Sequence, residues 1–244
     1  MKENNIIRMP GSLSGLIQPA SPDANLVELA APEHAAEPLK EQADIEAMIA
    51  YYRQKGQWRN YLLFICGINF GLRASDLLRL RWGDLIDENL RWRPEIVILE
   101  RKTATTRKRR QNRHVAINQA VRDAAEEYLE YMDARGYVIS RDQYMFRSDR
   151  AMRDGDNVPI HRNNLEDLLK KAARETGIAE RVHVATHTLR KTFTYWQLKN
   201  GTDIKMLQKL LGHSSEMQTL TYAGFTADII QDAYNDLTFN DKTA

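Results

Sequence analysis

The chain of 244 residues has a single cysteine, Cys66, and no hydrophobic run that approaches the roughly 20 residues of a membrane span. One cysteine excludes an internal disulfide and any cysteine-rich zinc site. Cys66 lies in the apolar run Leu62–Cys66, which predicts a position in the core. Met1–Pro10 lacks the apolar segment of a secretory signal, so the sequence favours a cytoplasmic protein without a membrane partner.

Several catalytic motifs are also missing from the sequence. It has no Walker phosphate-binding loop, no His-Glu-x-x-His zinc motif and no Rossmann glycine pattern. Gly11–Gly15 resembles a nucleophile elbow in outline, but Leu13 stands where that motif requires serine. The acidic residues do not cluster as metal ligands would. These absences predict a protein that uses neither a metal nor another cofactor.

Charge is distributed unevenly, although the overall net charge is only +2. Residues 1–50 have a net charge of −5, and residues 216–244 have a net charge of −4. The region between them holds 31 basic and 20 acidic side chains, a net charge of +11. A basic body with acidic ends favours a polyanion as partner and leaves the ends outside the contact.

Residue patterns predict a mainly α-helical fold with a small antiparallel β-sheet, an α+β protein. Residues 1–37 are rich in Ala, Pro, Glu and Ser, which predicts a flexible arm. Two strands are predicted, Ile96–Leu99 and His114–Ile117, joined by a very basic connection. The predicted helices are Ile45–Tyr52, Trp58–Phe70, Ala74–Arg81, Ala120–Arg135, Arg162–Thr176, Thr188–Asn200, Asp203–Leu211 and Ala227–Leu237.

Residues suited to cutting a phosphodiester without metal are concentrated in the last fifth of the chain. Such a reaction needs a nucleophile, fixed cations around the phosphate and a proton for the leaving oxygen. Arginine is the best fixed cation, because its planar fork donates two hydrogen bonds and keeps its charge. The candidates are Arg73 after a glycine turn, His187 and Arg190 three residues apart, His213 after Gly212, and Tyr222 nine residues later.

Each candidate also has an ordinary structural explanation. Arg73 alone could be a surface arginine at a helix start, and His213 alone could cap a helix. Tyr222 is one of ten tyrosines and could lie in the core. Tyr195 and Tyr234 are its competitors, but Tyr195 precedes a tryptophan in an apolar helix and is therefore interpreted as a packing residue.

At these residues, taken together and in order, the chain resembles the tyrosine recombinases, also called phage-type integrases. The resemblance runs from about Pro38 to about Thr226. It implies the fold of the tyrosine recombinase catalytic domain over residues 38–226. Residues 227–244 would then form a C-terminal helix or tail that docks on a neighbouring protomer.

The resemblance also implies a role for each site residue. Tyr222 would be the nucleophile and His187 would handle its proton, while Lys102 would protonate the leaving 5′ oxygen. Asp76 would help to hold the active-site arginines. The residues expected to hold the scissile phosphate are Arg73, Arg190 and His213. The residues expected to contact the DNA backbone are Arg101, Arg107, Lys108, Arg109, Arg110, Arg113 and Lys191.

The function implied by the resemblance is site-specific DNA recombination through a 3′-phosphotyrosyl intermediate, without metal or ATP. The implied partner is double-stranded DNA with paired half-sites. Four protomers would bind it at synapsis, and a monomer or dimer would bind it weakly otherwise. An accessory DNA-bending or host protein and a nucleoid location belong to the same expectation. Most family members carry a helical core-binding domain before the catalytic domain, whereas only about 37 residues precede it here.

Three alternative functions remain open from the sequence. The first is a DNA-binding regulator that keeps the recombinase fold without strand exchange. The second is related chemistry without exchange, as in a topoisomerase with a tyrosine nucleophile or a telomere resolvase. The third is a metal-dependent nuclease, which EDTA would inhibit.

Overall fold

The computed structural model describes residues 35–99 and 112–224, which belong to one compact unit, Ala31–Phe225. Most of these residues are helical. In chain order the α-helices are α1 (Gln42–Gln54), α2 (Trp58–Phe70), α3 (Ala74–Leu77), α4 (Trp82–Leu85), α5 (Gln119–Asp133), α6 (Asp149–Asp154), α7 (Arg162–Glu175), α8 (Thr188–Lys199), α9 (Ile204–Leu211) and α10 (Glu216–Ala223). A 3₁₀ turn, Ile178–Glu180, follows α7.

A two-stranded antiparallel sheet accompanies the helices. Strands β1 (Glu95–Leu99) and β2 (Asn112–Ala116) pair so that Ile96 faces Val115 across the ladder. Both of these side chains are buried, whereas Val97 is exposed, so one face of the sheet packs on the core. The predicted fold class is therefore confirmed. The basic connection between the strands falls largely on residues 100–111, outside the described residues.

One predicted helix is shorter than the sequence pattern suggested. The helix expected over Ala74–Arg81 ends at Leu77, and a new short helix starts at Trp82. Between them, Arg81 pairs with Tyr144 in an isolated antiparallel bridge, and Met145 N–H donates to Leu80 O over 2.9 Å. The helical pattern of leucines is thus overridden by main-chain pairing with a segment that is distant in sequence.

Helix α2 forms the centre of the core, because most of its side chains are buried and it packs against both α5 and α8. Two glycines on α2 and at its end allow α8 to come close. A Cβ on Gly67 would lie 2.5 Å from Leu189 Cδ1, and a Cβ on Gly71 would overlap the Phe193 ring. These contacts fix the end of α2 against the helix that carries Arg190.

Residues 35–40, here called the N-terminal strap, run over α8 without regular secondary structure. Leu39 is fully buried, and both of its main-chain polar groups are held by α8. Its N–H donates to Thr192 Oγ1 and its carbonyl accepts from Trp196 Nε1, each over 2.9 Å. A Cβ on Gly224 would lie 3.1 Å from Pro38 Cγ, so the strap also contacts the end of α10.

Among the helices of residues 35–99 and 112–224, none combines the length and the apolar composition needed to cross a membrane.

Candidate active site

Three arginine side chains lie at the turn that joins α2 to α3. Gly71 ends α2 in the left-handed conformation, with φ of 56°, and Arg73 has the extended backbone of the residue before α3. Arg190 Nη1 donates to Gly71 O over 2.9 Å, and Arg113 Nη2 donates to Phe70 O over 3.0 Å. The carbonyl groups left open at the end of α2 therefore accept hydrogen bonds from guanidinium groups.

Arg190 is almost completely buried, with 3% of its surface exposed. Besides its bond to the α2 end, its Nη2 donates to Leu211 O over 2.5 Å, at the last residue of α9. Both bonds are charge-assisted, and they tie α8 to two other elements through one side chain. This cation is fixed before any substrate binds, which is what electrostatic catalysis requires.

His187 and Tyr222 meet at the N-terminal end of α8. His187 is the residue before α8, and its Nδ1 lies 2.8 Å from Tyr222 Oη. Because either group can donate in such a pair, the histidine can accept the phenolic proton when Nδ1 carries none. Their rings meet edge to face, with centroids 6.2 Å apart.

His213 approaches the same tyrosine from the other side. Gly212 ends α9 in the left-handed conformation, and His213 N–H turns back to Gln208 O over 3.0 Å. The His213 ring centroid is 4.9 Å from that of Tyr222. Its Nδ1 lies 3.1 Å from the hydroxyl of the buried Thr219, a contact that orients the ring.

Tyr222 lies in the last turn of α10, a helix that the sequence reading missed. Ser215 caps its start by accepting from Gln218 N–H over 3.1 Å, and Gly224 ends it in the left-handed conformation. A capping serine and a terminal glycine nine residues apart were the available signal for this helix. The helix fixes Tyr222 on the side that faces both histidines.

The ionisation of Tyr222 reflects two opposing influences. Burial of the phenol is the larger one and raises the pKa of Tyr222 above its ordinary value. The neighbouring positive charges of Arg190 and Arg73 lower this pKa, as does a hydrogen bond from Arg190. The site therefore keeps the phenol protonated at rest and holds cations ready for the charge that develops on reaction.

The remaining site predictions fall in different places. Asp76 is buried in α3, one turn beyond Arg73, and its role in holding arginines stays a prediction. Arg113 lies on β2 and bonds to the end of α2, and Lys191 is buried beside Tyr222; the contact of each with the DNA backbone stays a prediction. The predictions that lie outside the described residues are Arg101, Lys102, Arg107, Lys108, Arg109 and Arg110.

Within residues 35–99 and 112–224, no group of three or more His, Cys, Asp or Glu side chains is arranged so that it could hold a metal ion.

Comparison with known proteins assigns the family. Residues 40–227 match the model described as "Phage integrase family". The chain belongs to this family. The tyrosine recombinase resemblance predicted from the sequence is thereby confirmed, and the match covers all of the site residues named above.

The relatives are named as recombinases. The chain is 32% identical over 201 residues to "Probable integrase/recombinase YoeC" of Bacillus subtilis (strain 168), covering 82% of this chain and 96% of that one. It is 29% identical over 179 residues to a "Tyrosine recombinase" of Pseudothermotoga lettingae, covering 73% of this chain and 54% of that one. The chain thus spans nearly all of the first relative but about half of the second.

Solved structures share the fold. A crystal structure of XerA recombinase superposes with a TM-score of 0.61 at 22% identity, covering 84% of this chain and 66% of that one. XerH site-specific recombinase, bound to palindromic difH substrate in a post-cleavage complex, gives a TM-score of 0.58 at 19% identity, covering 82% and 53%. At these identities the likeness shows the fold, which is that of the tyrosine recombinases.

Sequence reasoning missed the residues that hold the site together. Gly67 and Gly71 let α8 approach α2, Phe193 fills the space that Gly71 leaves, and Thr219 orients His213. The one signal in the sequence for the close approach of α8 to α2 was the pair of glycines, Gly67 and Gly71, four residues apart in and at the end of an apolar helix.

Proposed function

We propose that this chain cuts and rejoins DNA at specific sites through a covalent link between Tyr222 and a 3′ phosphate. The observation that carries the proposal is the convergence on one phenol: His187 Nδ1 lies 2.8 Å from Tyr222 Oη, and the His213 ring stands 4.9 Å from the Tyr222 ring. Arg190 supplies a fixed positive charge to the same oxygen. A tyrosine that only packs in the core would not need these three neighbours.

The chemical step exchanges one phosphodiester for another. Tyr222 gives its proton to His187 Nδ1, and its oxygen attacks the phosphorus while the bond to the 5′ oxygen breaks. Arg73, Arg190 and His213 stabilise the negative charge on the phosphate oxygens in the transition state. Lys102, assigned through the family resemblance, protonates the leaving 5′ oxygen. The reverse attack by a 5′ hydroxyl reseals the strand, so the bond energy is conserved and ATP is not needed.

Double-stranded DNA with paired half-sites is the partner that we propose. The family match, the names of the relatives and the DNA-bound XerH neighbour support it. Assembly of four protomers on two sites, help from an accessory DNA-bending or host protein, and action on a mobile element form part of the same proposal. So do a flexible arm over the part of residues 1–37 that precedes the N-terminal strap, in which Glu37 is instead hydrogen-bonded to His183, and a docking tail over residues 227–244.

Covalent trapping tests the proposal. Nicked duplexes that tile the DNA flanking the gene are incubated with the protein in EDTA and denatured in SDS, and protein–DNA adducts are then separated by electrophoresis. We expect an adduct with wild type and none with Tyr222→Phe, because the variant lacks the attacking oxygen. Tyr195→Phe is the matched control, since it loses the same oxygen from a ring that packs on Trp196.

Two results would overturn the proposal. Binding of a duplex without an adduct from wild type would favour a regulator that does not exchange strands. Cleavage that EDTA abolishes, or that persists in Tyr222→Phe, would favour a metal-dependent nuclease.

A further inference from the structure

Lys191 carries a positive charge in an unusual position for a lysine. It follows Arg190 in α8 and is 9% exposed. Its Nζ lies 5.4 Å from the centroid of the Tyr222 ring, within the distance of about 6 Å at which a cation and an aromatic face attract. The ammonium therefore lies against the face of the proposed nucleophile.

The surroundings of Lys191 keep water away from this contact. Burial is the main influence on Lys191 and lowers its pKa, while the carboxylate of Glu37 in the N-terminal strap opposes that change. Glu37 is itself fixed, because its carboxylate accepts from the His183 N–H over 2.7 Å and its own N–H donates to His183 O over 2.9 Å. The strap thus holds a counter-charge near the lysine and closes the same side of α8.

The charges around Tyr222 approach it from two directions. Arg190 hydrogen-bonds to the phenol oxygen, where His187 also lies, and Arg73 adds a further positive charge nearby. Lys191 acts from the face of the ring.

A phenolate and a phenol respond differently to a cation at the ring face. Part of the phenolate's negative charge is delocalised onto ring carbons, so attraction to the ammonium is stronger for the phenolate than for the neutral ring. An interaction that strengthens as the nucleophile loses its proton favours the attacking form. The proton itself goes to Nδ1 of His187, which is already within hydrogen-bonding distance.

We propose that Lys191 is a positioning residue for the nucleophile, and that its ammonium, held against the Tyr222 ring, stabilises the phenolate that attacks the phosphate. This inference rests on the proposed function for the use of the phenolate. The contact itself belongs to the DNA-free protein and can be tested there.

The first test is an NMR titration of DNA-free protein labelled with ¹³C at the tyrosine ζ carbon, with the Tyr222 signal assigned from Tyr222→Phe. Lys191→Arg keeps its positive charge throughout the titration, so the pKa of Tyr222 should be lower in Lys191→Arg than in Lys191→Met, which has no charge to stabilise the phenolate. Wild type should lie between the two variants, because burial lowers the pKa of Lys191 and the lysine loses its proton in the same pH range. Lys199→Met is the matched control. It removes a charge from the same helix, 4.7 Å from the Trp196 ring and 5.7 Å from the Tyr195 ring, and should not move the Tyr222 signal.

The second test measures single-turnover adduct formation against pH with the nicked duplex. Lys191→Met should be slower than wild type by about 10- to 30-fold near neutral pH, the range expected of a desolvated cation–aromatic contact. The deficit should shrink as pH rises, because wild-type Lys191 loses its proton as pH passes its lowered pKa. Lys191→Arg keeps its charge at every pH, so it should match wild type near neutral pH and exceed it at the high pH where Lys191 has lost its proton.

Each outcome separates the inference from the function on which it rests. If wild type forms the adduct but Tyr222 has the same pKa in Lys191→Arg and Lys191→Met, or if Lys191→Met shows a rate deficit equal at every pH together with a lower melting temperature, Lys191 has a structural role and the inference is wrong. If the pKa of Tyr222 is lower in Lys191→Arg than in Lys191→Met but wild type forms no adduct with any flanking DNA, the contact stands and the proposed function fails.

Discussion

The two sides of the site are built from different kinds of contact. On the arginine side, Arg113 and Arg190 donate to main-chain carbonyl oxygens at the ends of α2 and α9. On the tyrosine side, His187, Lys191 and His213 meet Tyr222 through their side chains. The hydrogen bonds from the arginines to main-chain carbonyl groups join different helices and therefore also stabilise the fold. The side-chain contacts around Tyr222 contribute little to the stability of the core.

This difference follows from what each side has to do. The cations must stay in place while charge develops on a phosphate, so a fixed geometry lowers the barrier. The tyrosine must lose a proton, form a bond and later release it, which requires neighbours that change protonation. We therefore expect substitutions on the arginine side to lower both stability and rate, and those on the tyrosine side to change mainly rate and pH dependence.

The largest effect should come from Arg190→Lys. A lysine keeps the charge but has no fork to reach both Gly71 O and Leu211 O, so we expect adduct formation to fall by about 100- to 1000-fold. The unfolding free energy from urea titration should fall by about 2 kcal/mol, because two buried carbonyl groups lose a charged donor.

Arg73→Lys sharpens this prediction. Arg73 is only half-buried at the start of α3, so its substitution should reduce adduct formation strongly while lowering the unfolding free energy less than Arg190→Lys does. An equal loss of stability in Arg73→Lys and Arg190→Lys would contradict the distinction between fixed and accessible cations.

A smaller effect on the rate is expected from Gly71→Ala, which should mainly lower stability. The residue has φ of 56° and its added Cβ would overlap the Phe193 ring, so α2 and α8 would have to separate. We expect a loss of about 2–3 kcal/mol in the urea-derived unfolding free energy, together with slower adduct formation.

Gly56→Ala is the matched control for this prediction. Gly56 has a similar φ of 62°, but nothing lies within 4 Å of the added Cβ. Its cost should therefore be limited to backbone strain, about 1 kcal/mol, with a wild-type rate. A comparable loss in both variants would mean that the close approach of Phe193 contributes nothing.

The smallest effect tests the tyrosine side. Thr219→Val removes the hydroxyl that lies 3.1 Å from His213 Nδ1, so the histidine loses the partner that sets its tautomer and orientation. Adduct formation should slow by about three- to tenfold, the equivalent of one ordinary hydrogen bond, and the melting temperature should change little.

Thr202→Val serves for comparison, because its hydroxyl bonds to Gln197 Oε1 and not to a site residue. It should retain the wild-type rate. A rate loss in Thr202→Val equal to that in Thr219→Val would remove the argument that the tautomer of His213 matters.

The sequence by itself determined the fold class, the family and the order of the candidate residues. The family can be recognised from the spacing of candidate site residues along the chain, such as His187 three residues before Arg190 and Tyr222 nine residues after His213. Helix α2 was predicted with its exact bounds, Trp58–Phe70, because an apolar run that ends at a glycine needs no distant partner to be recognised.

Tertiary structure decided the contacts between elements. Arg81 leaves its helical pattern because Tyr144 pairs with it, and Lys191 is buried because the N-terminal strap and Tyr222 lie against it. A side chain's neighbours from distant segments depend on how helices pack, which residue patterns within one segment do not encode. For the same reason, Arg190 could be recognised in the sequence as a cation, but only packing shows that two carbonyl oxygens hold it in place.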